Sequence, residues 1–115
     1  MYQLILLIPT GINLIAFDAN WPSFLEAAEQ MPGLIRESVS RIDQVIFGQE
    51  YFQRIYTFSF PDKDTLEKAL VSKNGENAGK IIHDLTGGKV TLVTADYQED
   101  SLQNIQSFAS QDSDE

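Results

Sequence analysis

Residues 74–97 read NGENAGKIIHDLTGGKVTLVTADY. Ala78, Ile81, Ile82 and Leu85 fall at i, i+3, i+4 and i+7, which makes one apolar stripe along an α-helix. Gly87 and Gly88 follow directly and stop that helix. From Lys89 to Tyr97 β-branched residues recur, and a final strand is predicted there. The same run holds the only histidine of the chain, His83, next to Asp84. At about 100° per residue His83 lies roughly 150° from the centre of the stripe, beside Glu76 and Lys80. The pair therefore reads as part of a solvated polar face, with a partner contact or a cavity mouth as the alternative.

Working backwards, DTLE at 64–67 offers Asp64 and Glu67 as a capping box, opening a helical piece with Leu66, Ala69 and Leu70 inward and Gly75 at its C-cap. Before it, YFQRIYTFSF at 51–60 is a strongly β-prone run ended by Pro61. In LIRESVSRIDQVIFG at 34–48, Ile35 and Val39 share one phase and Ile42 and Ile46 the other. The slip near Arg41 and Ile42 predicts a bulge, and Gly48, Gln49 and Glu50 predict a short turn that makes the two runs a hairpin. In ANWPSFLEAAEQMPG, Asn20 is the expected N-cap and Pro22 lies in the first turn. The apolar face there is Trp21, Phe24, Leu25, Ala28 and Met31, stopped by Pro32 and Gly33. The opening YQLILLIPTG has no polar alternation and reads as a central strand.

The order is β-α-β-β-α-β with the second helix in two pieces. It predicts an α+β, ferredoxin-like fold, in which a four-stranded antiparallel sheet carries both helices on one face. Residues 1–97 are expected to form this single domain, and 98–115 an acidic C-terminal tail, partly disordered. Within the tail Leu102, Ile105 and Phe108 can form a short amphipathic helix, whereas the last six residues, SQDSDE, are expected to stay disordered. In YFQRIYTFSF neither side is simply polar: Phe52, Arg54, Tyr56, Phe58 and Phe60 alternate with Tyr51, Gln53, Ile55, Thr57 and Ser59. Helices cover one face only, so the other needs a partner. Two sheets packed through a two-fold axis supply it, and a homodimer of the dimeric α+β barrel kind is expected.

Composition narrows the function further. Eight Lys and Arg stand against seventeen Asp and Glu, a net charge of −9, which argues against nucleic acid as a partner. There is no cysteine, hence no thiol nucleophile and no thiolate metal site. One histidine with scattered carboxylates gives no metal-ligand spacing, and no GxGxxG or P-loop order is present, so no metal and no cofactor is expected. The apolar run from Leu4 to Ile8 is too short to span a bilayer and no basic residue precedes it, so no membrane association and a cytoplasmic location are expected.

Residues 1–97 resemble the ethyl tert-butyl ether degradation D (EthD) proteins and the wider dimeric α+β barrel group. The matching stretches are LILLIPTG, MPGLIRESV and, above all, residues 74–97. The group includes small cofactor-free monooxygenases, muconolactone isomerases and polyketide cyclases. The resemblance implies a homodimer with a small apolar cavity between helices and sheet in each subunit. Many members carry a histidine near the end of the first helix; here that stretch reads FLEAAEQMPG and has none.

The cavity candidates are Arg54, Tyr56, Phe58, Trp21, Phe24 and Asp18. The aromatic row of the third strand reads first as core or dimer interface. Its functional alternative is a cavity wall on which Arg54 and the Tyr56 hydroxyl orient a carbonyl or a phenol. A buried Arg54 requires a partner, for which Glu37 across the strands is one option. Trp21 and Phe24 pack the helix or line the cavity, and Asp18 starts the helix or serves as a buried carboxylate. Two functions remain open, beside a purely structural dimer whose cavity is filled by its own aromatics. One is a homodimeric protein holding a small hydrophobic molecule. The other is a cofactor-independent monooxygenase, isomerase or cyclase acting on a small aromatic or lactone-like substrate.

Overall fold

A computed structural model of the chain describes residues 1–103. The elements run β1 Tyr2–Pro9, α1 Leu14–Ala28, β2 Arg36–Arg41, β3 Phe52–Phe60, α2 Lys63–Val71, α3 Lys73–Leu85 and β4 Thr91–Asp96. The four strands form one antiparallel sheet in the order β2-β3-β1-β4, the ferredoxin-like arrangement. The expected tail helix at Leu102, Ile105 and Phe108 and the disorder expected of the last six residues fall mainly on residues 104–115, outside the described part.

The registers decide which side chains share a face. Leu4 is opposite Phe58, Leu6 opposite Tyr56 and Ile8 opposite Arg54, so these residues project to one side of the sheet. On that side Leu4, Leu6, Ile8, Tyr56, Phe58 and Phe60 are buried against Phe17, Phe24 and Ala28 of α1, Leu66 and Ala69 of α2, and Ala78 and Ile82 of α3. Each such large side chain contributes about 1.5–3 kcal/mol. On the opposite side Ile5, Leu7 and Ile55 lie only half buried and outside this core. Among the described residues α1, α2 and α3 thus lie on one face, and none of them covers the apolar centre of the other.

Several local expectations need correction. Helix α1 begins at Leu14, well before Asn20; its cap is Asn13, whose side chain accepts from the backbone N–H groups of Ile15 (3.0 Å) and Ala16 (3.4 Å). Pro22 therefore stands in the helix interior. Burial of Phe17, at 1% exposure, holds the added N-terminal turns in place against the local break that proline favours. The slip at Arg41 is where β2 ends and not a bulge: only the Ile42 N–H continues the pairing, to the Gln53 carbonyl at 3.1 Å. A long loop over 42–51, and no short turn, joins β2 to β3. Asp62 caps α2 through the Thr65 N–H (2.8 Å), in place of the box on Asp64. Gly75 is no C-cap: Ser72 ends α2 and at once caps α3, whose first turn contains Gly75.

The last helix follows its sequence stripe. Ala78 and Ile82 are buried, Ile81 and Leu85 half buried, and Gly87 and Gly88 close the helix at φ 60° and 77°. His83 and Asp84 are both 70% exposed and 3.5 Å apart on its outer face.

Candidate functional site

Helix α1 and the pair β2–β3 diverge at the sheet's β2 edge. Because α1 leans on α3, the helix-facing side chains of β2 are left without a cover. Between them lies an open cavity of about 360 Å³. Helix α1 contributes Asp18, Trp21 and Leu25, one, two and three turns after its start. Alternation puts Glu37, Val39 and Arg41 of β2 on the same side, and Arg54, Tyr56 and Phe58 of β3 form the floor.

The polar centre is a bidentate ion pair. The Arg54 guanidinium donates through Nη1 to Asp18 Oδ1 and through Nη2 to Asp18 Oδ2, the latter at 3.1 Å. Nη1 also donates to the Tyr56 hydroxyl at 3.1 Å. The Arg54 side chain is 12% exposed and that of Asp18 52%, so the cation is the more deeply set partner. The hydrogen bond from Arg54 holds the Asp18 carboxyl below its ordinary range, with the charges of Arg54 and Arg41 acting in the same sense. Asp18 in turn raises the Arg54 pKa further. An ionised, already bonded Asp18 is a weak base, and this speaks against acid/base work at that position.

The aromatic groups form a wall beside this pair. Trp21 stacks on Tyr56 with ring centroids 4.0 Å apart and on Phe17 at 5.1 Å, and the Arg54 guanidinium lies 6.0 Å from the Phe17 ring. Tyr56 and Phe58 are buried. The structure brings Asp18, Trp21, Arg54, Tyr56 and Phe58 together around one cavity. Phe24 lies apart in the core, 3% exposed and edge-on to Phe58. Glu37 does not pair with Arg54: it stands opposite Phe58, while Arg41 stands opposite Arg54. The ion-pair partner comes instead from α1, because the early start of that helix turns Asp18 toward the sheet. Val39, Arg41 and Leu25 were not legible as site residues. Beginning the helix at Asn13 would have shown Phe17, Trp21, Phe24 and Ala28 as one stripe with Asp18 beside it.

Glu37 is the lining carboxyl shifted the other way. Partial burial, then the charge of Glu29 and a hydrogen bond with it, raise its pKa above the ordinary 4.5. A carboxyl whose folded pKa is raised leaves the fold unaffected below pH 4.5 and weakens it progressively as the pH rises from there through the raised value, with no further loss above it. Glu37→Gln is therefore expected to raise stability slightly at pH 7, by less than about 1 kcal/mol for so exposed a group, and to change little at pH 4. Urea midpoints at the two pH values check this.

No family model matches this chain, and no curated protein matches it. Solved structures do. An EthD family protein from Bacillus halodurans C-125 superimposes with a TM-score of 0.74 over 85% of this chain and 99% of its own, at 23% sequence identity. The chain has the fold of an EthD family protein. A dimeric ferredoxin-like protein of unknown function from Jannaschia sp. CCS1 gives a TM-score of 0.60 at 18% identity, covering 84% of this chain and 97% of its own. SnoaB, a cofactor-independent oxygenase from Streptomyces nogalater, gives 0.62 at 12% identity over 88% and 95%. At these identities the likeness establishes the ferredoxin-like, EthD-type fold. No described helix is long and apolar enough to cross a membrane.

Proposed function

We propose that the protein is a homodimer that holds one small hydrophobic molecule per subunit in the cavity between α1 and β2–β3. The observation that carries this reading is the cavity itself. Its volume of about 360 Å³ is within the range of small-molecule sites, and Trp21, Leu25, Val39 and Phe58 surround a few convergent polar groups. Arg54 and Tyr56 are fixed before any ligand arrives, which lowers the ordering cost of binding.

Dimerisation is supported by the apolar centre of the uncovered sheet face, with Ile5, Leu7 and Ile55, and by the dimeric state of the Jannaschia protein of like fold. Loop 42–51 adds Ile46 and Phe47, 91% and 98% exposed, to the apolar surface that a second copy can cover. A second reading, a cofactor-independent enzyme on a small aromatic or lactone-like substrate, draws on Tyr56. Its hydroxyl accepts from Arg54 and so keeps its own proton for a substrate oxygen, and the fold is shared with the oxygenase SnoaB.

Both parts of the proposal have a direct test. Trp21 is the chain's single tryptophan, so one indole N–H resonance reports the cavity. Titration with the neutral aromatic amide 2-naphthamide is expected to shift it saturably, with a Kd of about 1 mM or tighter. No shift at that concentration overturns the ligand reading. Light scattering on a sizing column is expected to give twice the 12.9 kDa chain mass at micromolar concentration, and a 12.9 kDa species overturns the dimer.

A further inference from the structure

Two arginines line one end of the cavity. Arg41 and Arg54 are directly opposite each other across β2 and β3, and both line the cavity. Like charges facing each other in a sheet repel. The whole chain has only eight Lys and Arg, so two in one pocket run against its acidic composition. Asp18 offsets one of them: its two oxygens are taken by Arg54, while Arg41 enters no ion pair among the described residues. Two cations and one carboxylate leave one positive charge at this end. The other lining carboxyl, Glu37, is four residues along β2 and opposite Phe58, about 13 Å away along the strand.

The donors there are also incompletely used. Of the five N–H groups of Arg54, three are engaged, two on Asp18 and one on Tyr56. Nε and the second hydrogen of Nη2 meet no described acceptor, and neither does the Tyr56 O–H. A neutral ligand would leave this excess positive charge uncompensated. A singly charged oxyanion removes it and fills the free donors at once.

Building on the cavity reading above, we infer that the ligand is an aromatic or similarly flat apolar carboxylic acid, bound as its carboxylate between Arg41 and Arg54 with its apolar body against Trp21 and Leu25. The charge sum selects a monoanion. The apolar remainder of the wall selects the body, and the Trp21 ring in that wall suits a flat one.

The test compares 2-naphthoate with its neutral isostere 2-naphthamide on the full chain, following the Trp21 indole resonance. Naphthoate is expected to bind about tenfold tighter, and its affinity alone is expected to fall as sodium chloride is raised. Arg41→Gln is expected to weaken naphthoate about tenfold and to bring the two probes to near parity. Because Arg41 is exposed at a strand end, a thermal melt of the variant serves as the check on folding. Equal binding of the two probes to the wild type overturns the inference and leaves the cavity reading standing. A loss of both probes in Arg41→Gln with an unchanged melt also overturns it, since charge would not be what Arg41 supplies. Failure of both probes to bind the wild type overturns the cavity reading together with the inference.

Discussion

Gly75→Ala is expected to destabilise the protein by about 3 kcal/mol or more, enough to remove much of the stability of a domain this size. Gly75 is buried in the first turn of α3, where that helix passes over the end of α2. A Cβ there would lie 2.0 Å from the Ala69 carbonyl oxygen and 2.9 Å from that of Leu70. Both obstacles are backbone, so no rotamer change relieves them. The Ala69 oxygen is also held in place, accepting from the Ser72 N–H at 3.2 Å and the Ser72 hydroxyl at 2.6 Å. The added methyl must therefore push α2 and α3 apart and open the packing of Ala69 and Ala78. Gly79→Ala in the same helix is the matched control. Its Cβ meets nothing within 4 Å, and the substitution is expected to stabilise by about 0.5–1 kcal/mol through helix propensity and a less flexible unfolded chain. Urea unfolding of the two variants should shift in opposite directions. A Gly75→Ala midpoint within error of wild type would contradict the close approach of the two helices.

Replacing Arg54 by Met is expected to abolish most of the oxygen recognition in the cavity, with naphthoate weakened by more than about tenfold and naphthamide also weakened. Among the described residues Arg54 alone joins the ion pair to the Tyr56 hydroxyl, and it lines the cavity with donors that meet no described acceptor. The stability consequences of breaking the pair should be unequal. Without Arg54, the Asp18 carboxylate is half exposed and water can solvate it. Without Asp18, a guanidinium at 12% exposure is left with Tyr56 alone, facing Arg41. Asp18→Ala should thus melt at a lower temperature than Arg54→Met, although both remove the same ion pair. The opposite order would show that Arg54 is solvated and not set into the wall.

The sequence carried the architecture. The stripe Ala78, Ile81, Ile82, Leu85 and the Gly87–Gly88 stop placed the last helix and strand, because a 3.6-residue period and a positive φ are local properties. The alternation of β3 likewise showed that Arg54, Tyr56, Phe58 and Phe60 share one side. Local signals misled where two of them competed. Pro22 and Asn20 form a plausible helix start, and only the burial of Phe17 shows that the helix is already well under way there. Loop 42–51 continues the β-like apolar pattern of β2, yet the pairing with β3 ends after Ile42.

The site depended on distances that no local pattern encodes. Asp18 and Arg54 are 36 residues apart and meet because α1 starts at Leu14 and turns Asp18 toward β3. Glu37 and Arg41 lie on the same side of β2, and only the strand register determines that Arg41, not Glu37, faces Arg54. The cavity is the gap left where α1 leans on α3 and leaves the β2 edge uncovered. Periodicity and turn chemistry therefore determined the order of elements and the inward faces, since both act within a few residues. Register, helix placement and the resulting balance of charge around Arg54 are properties of packing between distant segments, and only the tertiary structure decided them.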